Sequence, residues 1–495
     1  MNHLNDVKRK ESLFYKVRRG GVLIGTSNAL KVLLAMVRTV VIARFLAPED
    51  LGLMGIVLLS LAILESLSQT GFAAALIQKK KRVDTYLDTA WIVSLVRGVF
   101  LYCLLFFCAP LVASFFNAPS VTLLLRVVGL ACIFEGLINI GVVTFRKELE
   151  FEKEFFYQQI EIFTDILLTI SLAIILRSVW ALVFGYLGGK GVKCFTSYLI
   201  HPYRPGFTFD REKARELFRF GRYLLGSSII ILLITQGDDA VVGKLLGTTA
   251  LGFYVIAYKI SNMPATSITH VFSQVAFPAY AKLQDDPERL RNAYLKALKY
   301  IAFVSLPTCG GLFVLAPELV NFFLGQKWIE IVPAMRVLCI FGVIRALGGT
   351  TGPLFQGVGR PDIITKLNLG KLLIIALLII PLTQKYGIVG TAITVTIPMV
   401  LDQTISWHIC ARIIRGRVGE IFAVLVPSLI GTLLMIGFLG ILKKTSLCPT
   451  ESISTVYLII SGMTFYFLFF YLFYKREMIE ISDVIFLKVR TKSVV

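Results

Sequence analysis

The chain has 495 residues, 56% of them hydrophobic, and 51 Lys+Arg against 31 Asp+Glu give it a net charge of +20. A mean hydropathy of +0.76 excludes a water-soluble domain of ordinary composition and places most of the chain in a bilayer. The positive surplus does not indicate nucleic acid, because it collects in alternate connections between apolar segments, the pattern that sets membrane orientation.

A helix crossing hydrocarbon needs roughly 20 mainly apolar residues, and stretches of that kind recur about 14 times. In chain order they cover 21–43, 51–77, 87–115, 121–144, 155–176, 179–199, 223–246, 251–275, 300–323, 332–354, 367–382, 388–409, 421–442 and 454–474. Lys and Arg concentrate in the tail before the first span, in "KKKR" at 79–82, around Arg146, Arg211, Arg289, Arg360 and Arg412, and after Lys475; the opposite connections hold few. Both termini are therefore expected in the cytoplasm. The first span, with no small-residue cleavage site behind it, is expected to serve as its own insertion signal. The eight cysteines are scattered without a CxxC pair or a histidine at ligand spacing, so they read as packing residues, and no metal site is expected.

The chain repeats itself. At an offset of 200, Val41, Arg44, Leu46, Leu51, Gly52 and Ile56 fall on Val241, Lys244, Leu246, Leu251, Gly252 and Ile256; at 210, Arg126, Val127 and Phe145 fall on Arg336, Val337 and Phe355. A six-span unit keeps both copies in the same orientation, which gives two parallel six-helix lobes around a central cleft, followed by two extra helices. The expected organisation is an N-terminal lobe at 1–200, an amphipathic cytoplasmic linker at 201–222, a C-terminal lobe at 223–416, and two further helices with a cytoplasmic tail at 417–495. A second surface helix is expected after the eighth span, with Asp286 as N-cap, Pro287 in the first turn, and Leu290, Tyr294 and Leu298 on one face.

A charge at the centre of a span costs about 2.5 to 3.5 kcal/mol on insertion scales, so such residues face a cavity or a partner. Lys244, Lys259, Lys371, Asp88, Glu161 and Glu318 lie near span ends and read as reaching the interface. Asn28, Lys31, Ala35 and Arg38 form one stripe on the first span, and Ser228, Thr235 and Asp238 occupy the matching places on the seventh. The repeat sets Arg38 against Asp238 and Glu135 against Arg345, so equivalent positions carry opposite signs. The expectation is that Arg38 faces Asp238 across the cleft and that an anionic ligand competes for the arginine. Gln158, Glu161 and Asp165 make a further polar stripe on the fifth span. No P-loop, GxSxG, HExxH or glycine-rich dinucleotide turn is present, and the outer connections are too short for an extramembrane active site, so an enzyme is not expected. Asp50 in "PED" reads as a cap of the second span.

The segments "ARFLAPEDLGLMGI" at 43–56, "LLGTTALGFYVIAYKISNMP" at 245–264 and "PLFQGVGRPD" at 353–362 resemble bacterial polysaccharide exporters of the Wzx type. These belong to the multidrug/oligosaccharidyl-lipid/polysaccharide superfamily, and the likeness is to its lipopolysaccharide and teichuronic acid export branch. The resemblance covers about residues 12–415. It implies a flippase of the bacterial inner membrane that turns an undecaprenyl-pyrophosphate-linked oligosaccharide from the inner to the outer leaflet by alternating access, for surface polysaccharide biosynthesis. Lys31, Arg38, Arg97 and Arg345 are then the candidates for the pyrophosphate, since Arg grips phosphate oxygens as a fork and Lys acts as a point charge. Asp238, Asp239, Glu135 and Asp165 are candidates for ion coupling or for pairing in the cleft, with H+ or Na+ as the coupling ion. The implied partners are the lipid-linked oligosaccharide, membrane lipids and polysaccharide assembly proteins; no cofactor or nucleic acid is implied. The alternatives are a cation-coupled multidrug exporter of the same superfamily and, from another class, a membrane glycan polymerase or glycosyltransferase.

Overall fold

In a computed structural model of the protein the described residues are 30, 32–68, 76, 84–148, 150–444 and 451–475. Among them are helices and turns and no strand, so the protein is an all-α polytopic membrane protein. Eight described helices are each long and apolar enough to cross a bilayer, and the count rises to nine if one bent helix pair is taken as a single span. The largest, Pro361–Ile413, serves for two of the spans read from the sequence: Gly387 interrupts it at φ 59°, a left-handed conformation that glycine adopts without steric penalty. The chain forms two compact units, Met1–Val255 and Ile256–Val495.

The first unit begins with α1 (32–45) and α2 (Pro48–Leu67). It continues with α3 (Asp84–Phe115), α4 (Val121–Val128), α5 (Leu130–Leu137) and the short α6 (Val143–Lys147). The span expected at 121–144 is broken: Val121–Leu137 and Ile140–Lys147 meet at 67°. Asn139 fixes the break, its Oδ1 accepting from the Gly141 amide at 3.0 Å while its Nδ2 donates to the Tyr203 carbonyl at 2.7 Å. A tight hairpin of α7 (Phe151–Leu176) and α8 (Trp180–Ile200) follows. Gly185 and Gly189 sit at its contact, where a Cβ on Gly185 would lie 1.9 Å from the Thr169 hydroxyl.

The connection at 201–210 is pinned to the first turns of α3. The Asp88 carboxylate accepts from the Gly206 amide at 2.9 Å, from the Thr208 hydroxyl at 2.6 Å and from the Tyr203 hydroxyl. Asp88 therefore holds the connection instead of reaching for the interface. Residues 211–222 are not a separate surface helix: Asp210 accepts from the amides of Glu212 and Lys213 at 3.0 and 3.2 Å and starts α9 (Arg211–Leu246), which runs on without a break. Gly247, at φ 86°, turns the chain into α10 (Thr248–Leu283). At 36 residues each, α9 and α10 are about 54 Å long at 1.5 Å per residue, more than the bilayer core requires.

Here the repeat becomes visible as a contact. A Cβ on Gly52 would lie 1.8 Å from the Thr248 carbonyl oxygen, and one on Gly252 would lie 1.9 Å from the Pro48 carbonyl oxygen. Pro48 and Gly52 are the offset-200 equivalents of Thr248 and Gly252, so the first turns of α2 and α10 meet as a reciprocal pair with backbones touching. The sequence match at 51–52 and 251–252 thus records a packing requirement. Asp50, in the first turn of α2, accepts from the Ala47 amide at 3.0 Å with one carboxylate oxygen and from the Val179 amide at 3.0 Å with the other.

The second unit contains α11 (Pro287–Val314), α12 (Ala316–Leu319), α13 (Val332–Gly348), α14 (Thr351–Gly357), α15 (Pro361–Ile413), α16 (Val418–Lys444) and α17 (Glu451–Phe473). Asp286 caps α11 by accepting from the Arg289 amide at 3.1 Å, and Leu290, Tyr294 and Leu298 are buried, as the spacing requires. That segment is again continuous with the span behind it, because nothing interrupts the helix before Val314. Tyr280, Tyr294, Phe355 and Trp407 anchor one apolar core. The two extra helices carry a second, aromatic core with Phe303, Tyr466 and Phe470, whose rings meet at 4.8 to 5.5 Å.

Candidate functional site

The densest set of charges inside the spans lies within the first unit, on α2, α3, α5, α7 and α8. Lys190 (α8) is its centre: the ammonium lies 2.5 Å from Glu135 (α5) and 3.2 Å from Glu161 (α7). One turn on, Lys193 meets the other Glu161 oxygen at 2.5 Å. Glu65 (α2) lies within electrostatic range of Glu135, Lys190 and Arg97. Arg97 (α3) donates from Nε and Nη2 to the Ser68 hydroxyl at 3.1 and 2.9 Å, so its fork is held by a neutral acceptor and keeps its charge available. Lys190 retains 14% exposure, while Glu135 retains 33% and Glu161 21%, so the network is enclosed yet not sealed. In a low-dielectric setting such ions persist because each has an opposite partner. The arrangement is three cationic side chains and three carboxylates that an anion can enter by replacing a carboxylate at an ammonium.

A second station lies between α1 and α7. Arg38 donates to Asp165 Oδ1 at 3.1 Å and to the Thr169 hydroxyl at 3.4 Å, and Thr169 itself donates to Asp165 at 3.0 Å. The expectation that Arg38 faces Asp238 is thereby corrected. The arginine is neutralised by the polar stripe of α7, while Asp238 accepts from the Tyr254 hydroxyl at 2.6 Å. Asp239 follows it on α9. The other expected residues separate: Glu135 joins Lys190, whereas Arg345 belongs to the second unit and donates to the Tyr258 hydroxyl at 3.3 Å. Lys31 lies outside the described residues.

Three residues of this site are not among the candidates that the sequence singles out. Glu161 reads as an interfacial residue because it lies near the start of its span, yet it is bound by two lysines from the neighbouring helix. Lys190 and Lys193 were visible as charges within a span, and their i, i+3 spacing opposite Glu161 was the available signal. It becomes legible only once α7 and α8 are known to pair. Among the described residues no cluster of His, Cys, Asp and Glu suited to a metal ion occurs.

A family model described as polysaccharide biosynthesis protein matches residues 41–333. The lipopolysaccharide biosynthesis protein WzxC of Escherichia coli K12 is 26% identical over 407 residues, covering 82% of this chain and 83% of its own. The teichuronic acid biosynthesis protein TuaB of Bacillus subtilis is 28% identical over 382 residues, with 76% and 78% covered. Among solved structures, the lipid II flippase MurJ in an inward closed conformation superposes with a TM-score of 0.76 at 15% identity, over 92% of this chain and all of that one, a likeness of fold.

Proposed function

Because this chain belongs to the polysaccharide biosynthesis protein family, we propose that it is a flippase that carries an undecaprenyl-pyrophosphate-linked oligosaccharide from the inner to the outer leaflet of a bacterial inner membrane. The observation that carries the reading is the Lys190 network: cations enclosed in apolar helices, each balanced by a carboxylate that a stronger anion can displace. At rest the network is close to neutral, which limits its cost in the bilayer. When the pyrophosphate arrives, Lys190 and Lys193 give up Glu135 and Glu161 for phosphate oxygens, and Arg97 exchanges the Ser68 hydroxyl for a charge-assisted contact. Arg38, released from Asp165, Lys31 and Arg345 are further candidates for the same headgroup.

The polyprenyl tail stays in lipid, since burying it in a charged path would gain nothing, and the sugars pass hydroxyl and amide groups. Glu135, Asp165, Asp238 and Asp239 are candidates for ion coupling, with both termini cytoplasmic and assembly proteins of the polysaccharide as partners. The test is to deplete the protein in a producing cell and locate the lipid-linked oligosaccharide by surface labelling. Accumulation on the cytoplasmic leaflet is the expected result. Accumulation of unextended units on the outer leaflet would instead indicate a polymerase, and efflux of organic cations from vesicles with no effect on the lipid would indicate a drug exporter.

A further inference from the structure

Acidic residues inside the spans of the first unit fall into two groups. Asp165 has Arg38 at 3.1 Å, Glu135 has Lys190, Glu161 has Lys190 and Lys193, and Glu65 has Lys190 and Arg97 within electrostatic range. Asp238 and Asp239 have no Lys or Arg within ion-pair distance among the described residues. Asp238 is only 4% exposed. One carboxyl oxygen accepts from Tyr254, itself fully buried, and the other is enclosed with no hydrogen-bond partner at all. From the elements packed on α9, the charged groups with described side chains are Glu49, Asp50 and Glu65 of α2 and Asp88 and Arg97 of α3. Asp50, Asp88 and Arg97 are held by the partners described above, and none of the five pairs with either aspartate.

A buried carboxylate with one hydrogen bond, an adjacent carboxylate and no cation is unfavourable by several kcal/mol, roughly the cost of one unpaired ion after relaxation. Adding one proton to the unpartnered oxygen removes the charge and keeps the Tyr254 bond. A metal cation is a poor alternative, since a hard cation needs about six oxygen ligands and no metal-binding cluster occurs among the described residues.

We propose that Asp238, Asp239 and Tyr254 form a proton-binding site, loaded while α2 covers α9 and emptied to water when that cover parts. The cover is the side of the molecule where Gly52 and Gly252 meet, two residues from Tyr254. Opening the reciprocal contact hydrates Asp238, the O–H bond breaks, the proton passes to water, and the ionised pair then resists closure until a proton returns. The site stands independently of the cargo; its use in coupling rests on the flippase reading.

The experiment is infrared spectroscopy of the purified full chain in nanodiscs at neutral pH, reading the C=O stretch of a protonated carboxyl. The wild type is expected to show that band. Asp238→Asn should weaken it, the Asp238→Asn/Asp239→Asn pair should lose it, and Asp165→Asn should keep it. Tyr254→Phe, checked for folding by size-exclusion chromatography, should shift the band to the frequency of a carboxyl lacking that bond. Absence of the band in the wild type, its survival in the double variant, or its removal when sodium replaces potassium would overturn the proposal. A band that behaves as expected in a protein that flips no lipid-linked oligosaccharide leaves the proton site standing and refutes the flippase reading.

Discussion

The two units solve the same problem, charge in an apolar helix, in different ways. In the first, Lys190 bridges carboxylates from two other helices, and Lys193 shares one of them, so ions from α5, α7 and α8 depend on one another. In the second, the enclosed pair Lys371 and Asp402, 3.3 Å apart with 17% and 11% exposure, stands by itself on α15, and Arg345 is met by a tyrosine hydroxyl. A bridged set can exchange one partner for a ligand without stranding the others, whereas an isolated pair can only be made or broken. The first is suited to handling an anion in transit and the second to holding two helix segments together.

Removing the bridge is the most severe way to break this comparison. Lys190→Met leaves Glu135 without its cation and Glu161 with only Lys193, and it should cost about 3 to 5 kcal/mol. Thermal unfolding in nanodiscs reads the loss, and adding Glu135→Gln should recover part of it. Lys371→Met strands only Asp402 and should cost about 3 kcal/mol, recovered nearly in full by Asp402→Asn because no third ion is involved. Equal recovery in both double variants would erase the distinction between network and pair.

Next in size is the reciprocal contact. Gly52→Ala inserts a methyl where a backbone carbonyl lies and should destabilise the first unit by about 1 to 3 kcal/mol. The same change at Gly437, where a Cβ meets no atom within 4 Å, should be silent. Protease protection of the two units separately measures both.

The smallest effect concerns the connection at 201–210. His201 accepts from the Tyr203 amide at Nδ1 (3.1 Å), so its ring is neutral there and carries its proton at Nε2, beside the Thr144 hydroxyl. Burial first, and then the Lys153 ammonium, hold its pKa below the ordinary histidine value. For a group whose folded pKa is depressed in this way, the stabilisation is present above the unfolded value of about 6.5 and is lost as pH falls below it. Limited proteolysis within 201–210 should therefore quicken below about pH 6.5, and His201→Asn should flatten that dependence.

The helical membrane fold was legible in the sequence because hydropathy and the alternation of Lys and Arg are sums over many residues, insensitive to any single contact. The repeat was legible at Gly52 and Gly252 because only glycine permits that approach. Helix continuity was less so. Residues 211–222 and 287–299 look like surface helices because their charge ends where the lipid begins, and nothing in a hydropathy pattern says whether a helix bends at that boundary. The broken span at 138–139 turns on the two side-chain hydrogen bonds of Asn139, invisible to any average. The candidate site was legible as a list of charges and not as a set of pairs. Opposite signs at equivalent positions suggested Arg38 with Asp238, but the helix that reaches Arg38 is α7, a partner that only the packing reveals.

The account rests on enclosed cations of the first unit carrying an anionic headgroup, and it is tested most directly in vesicles holding the purified chain and a labelled undecaprenyl-pyrophosphate-linked oligosaccharide. The wild type should move the headgroup across the bilayer, and Lys190→Gln/Glu135→Gln, which lacks the exchangeable pair and is checked for folding by size-exclusion chromatography, should move it at least tenfold more slowly. Transfer at the wild-type rate by that variant, or none by the wild type, would contradict the account.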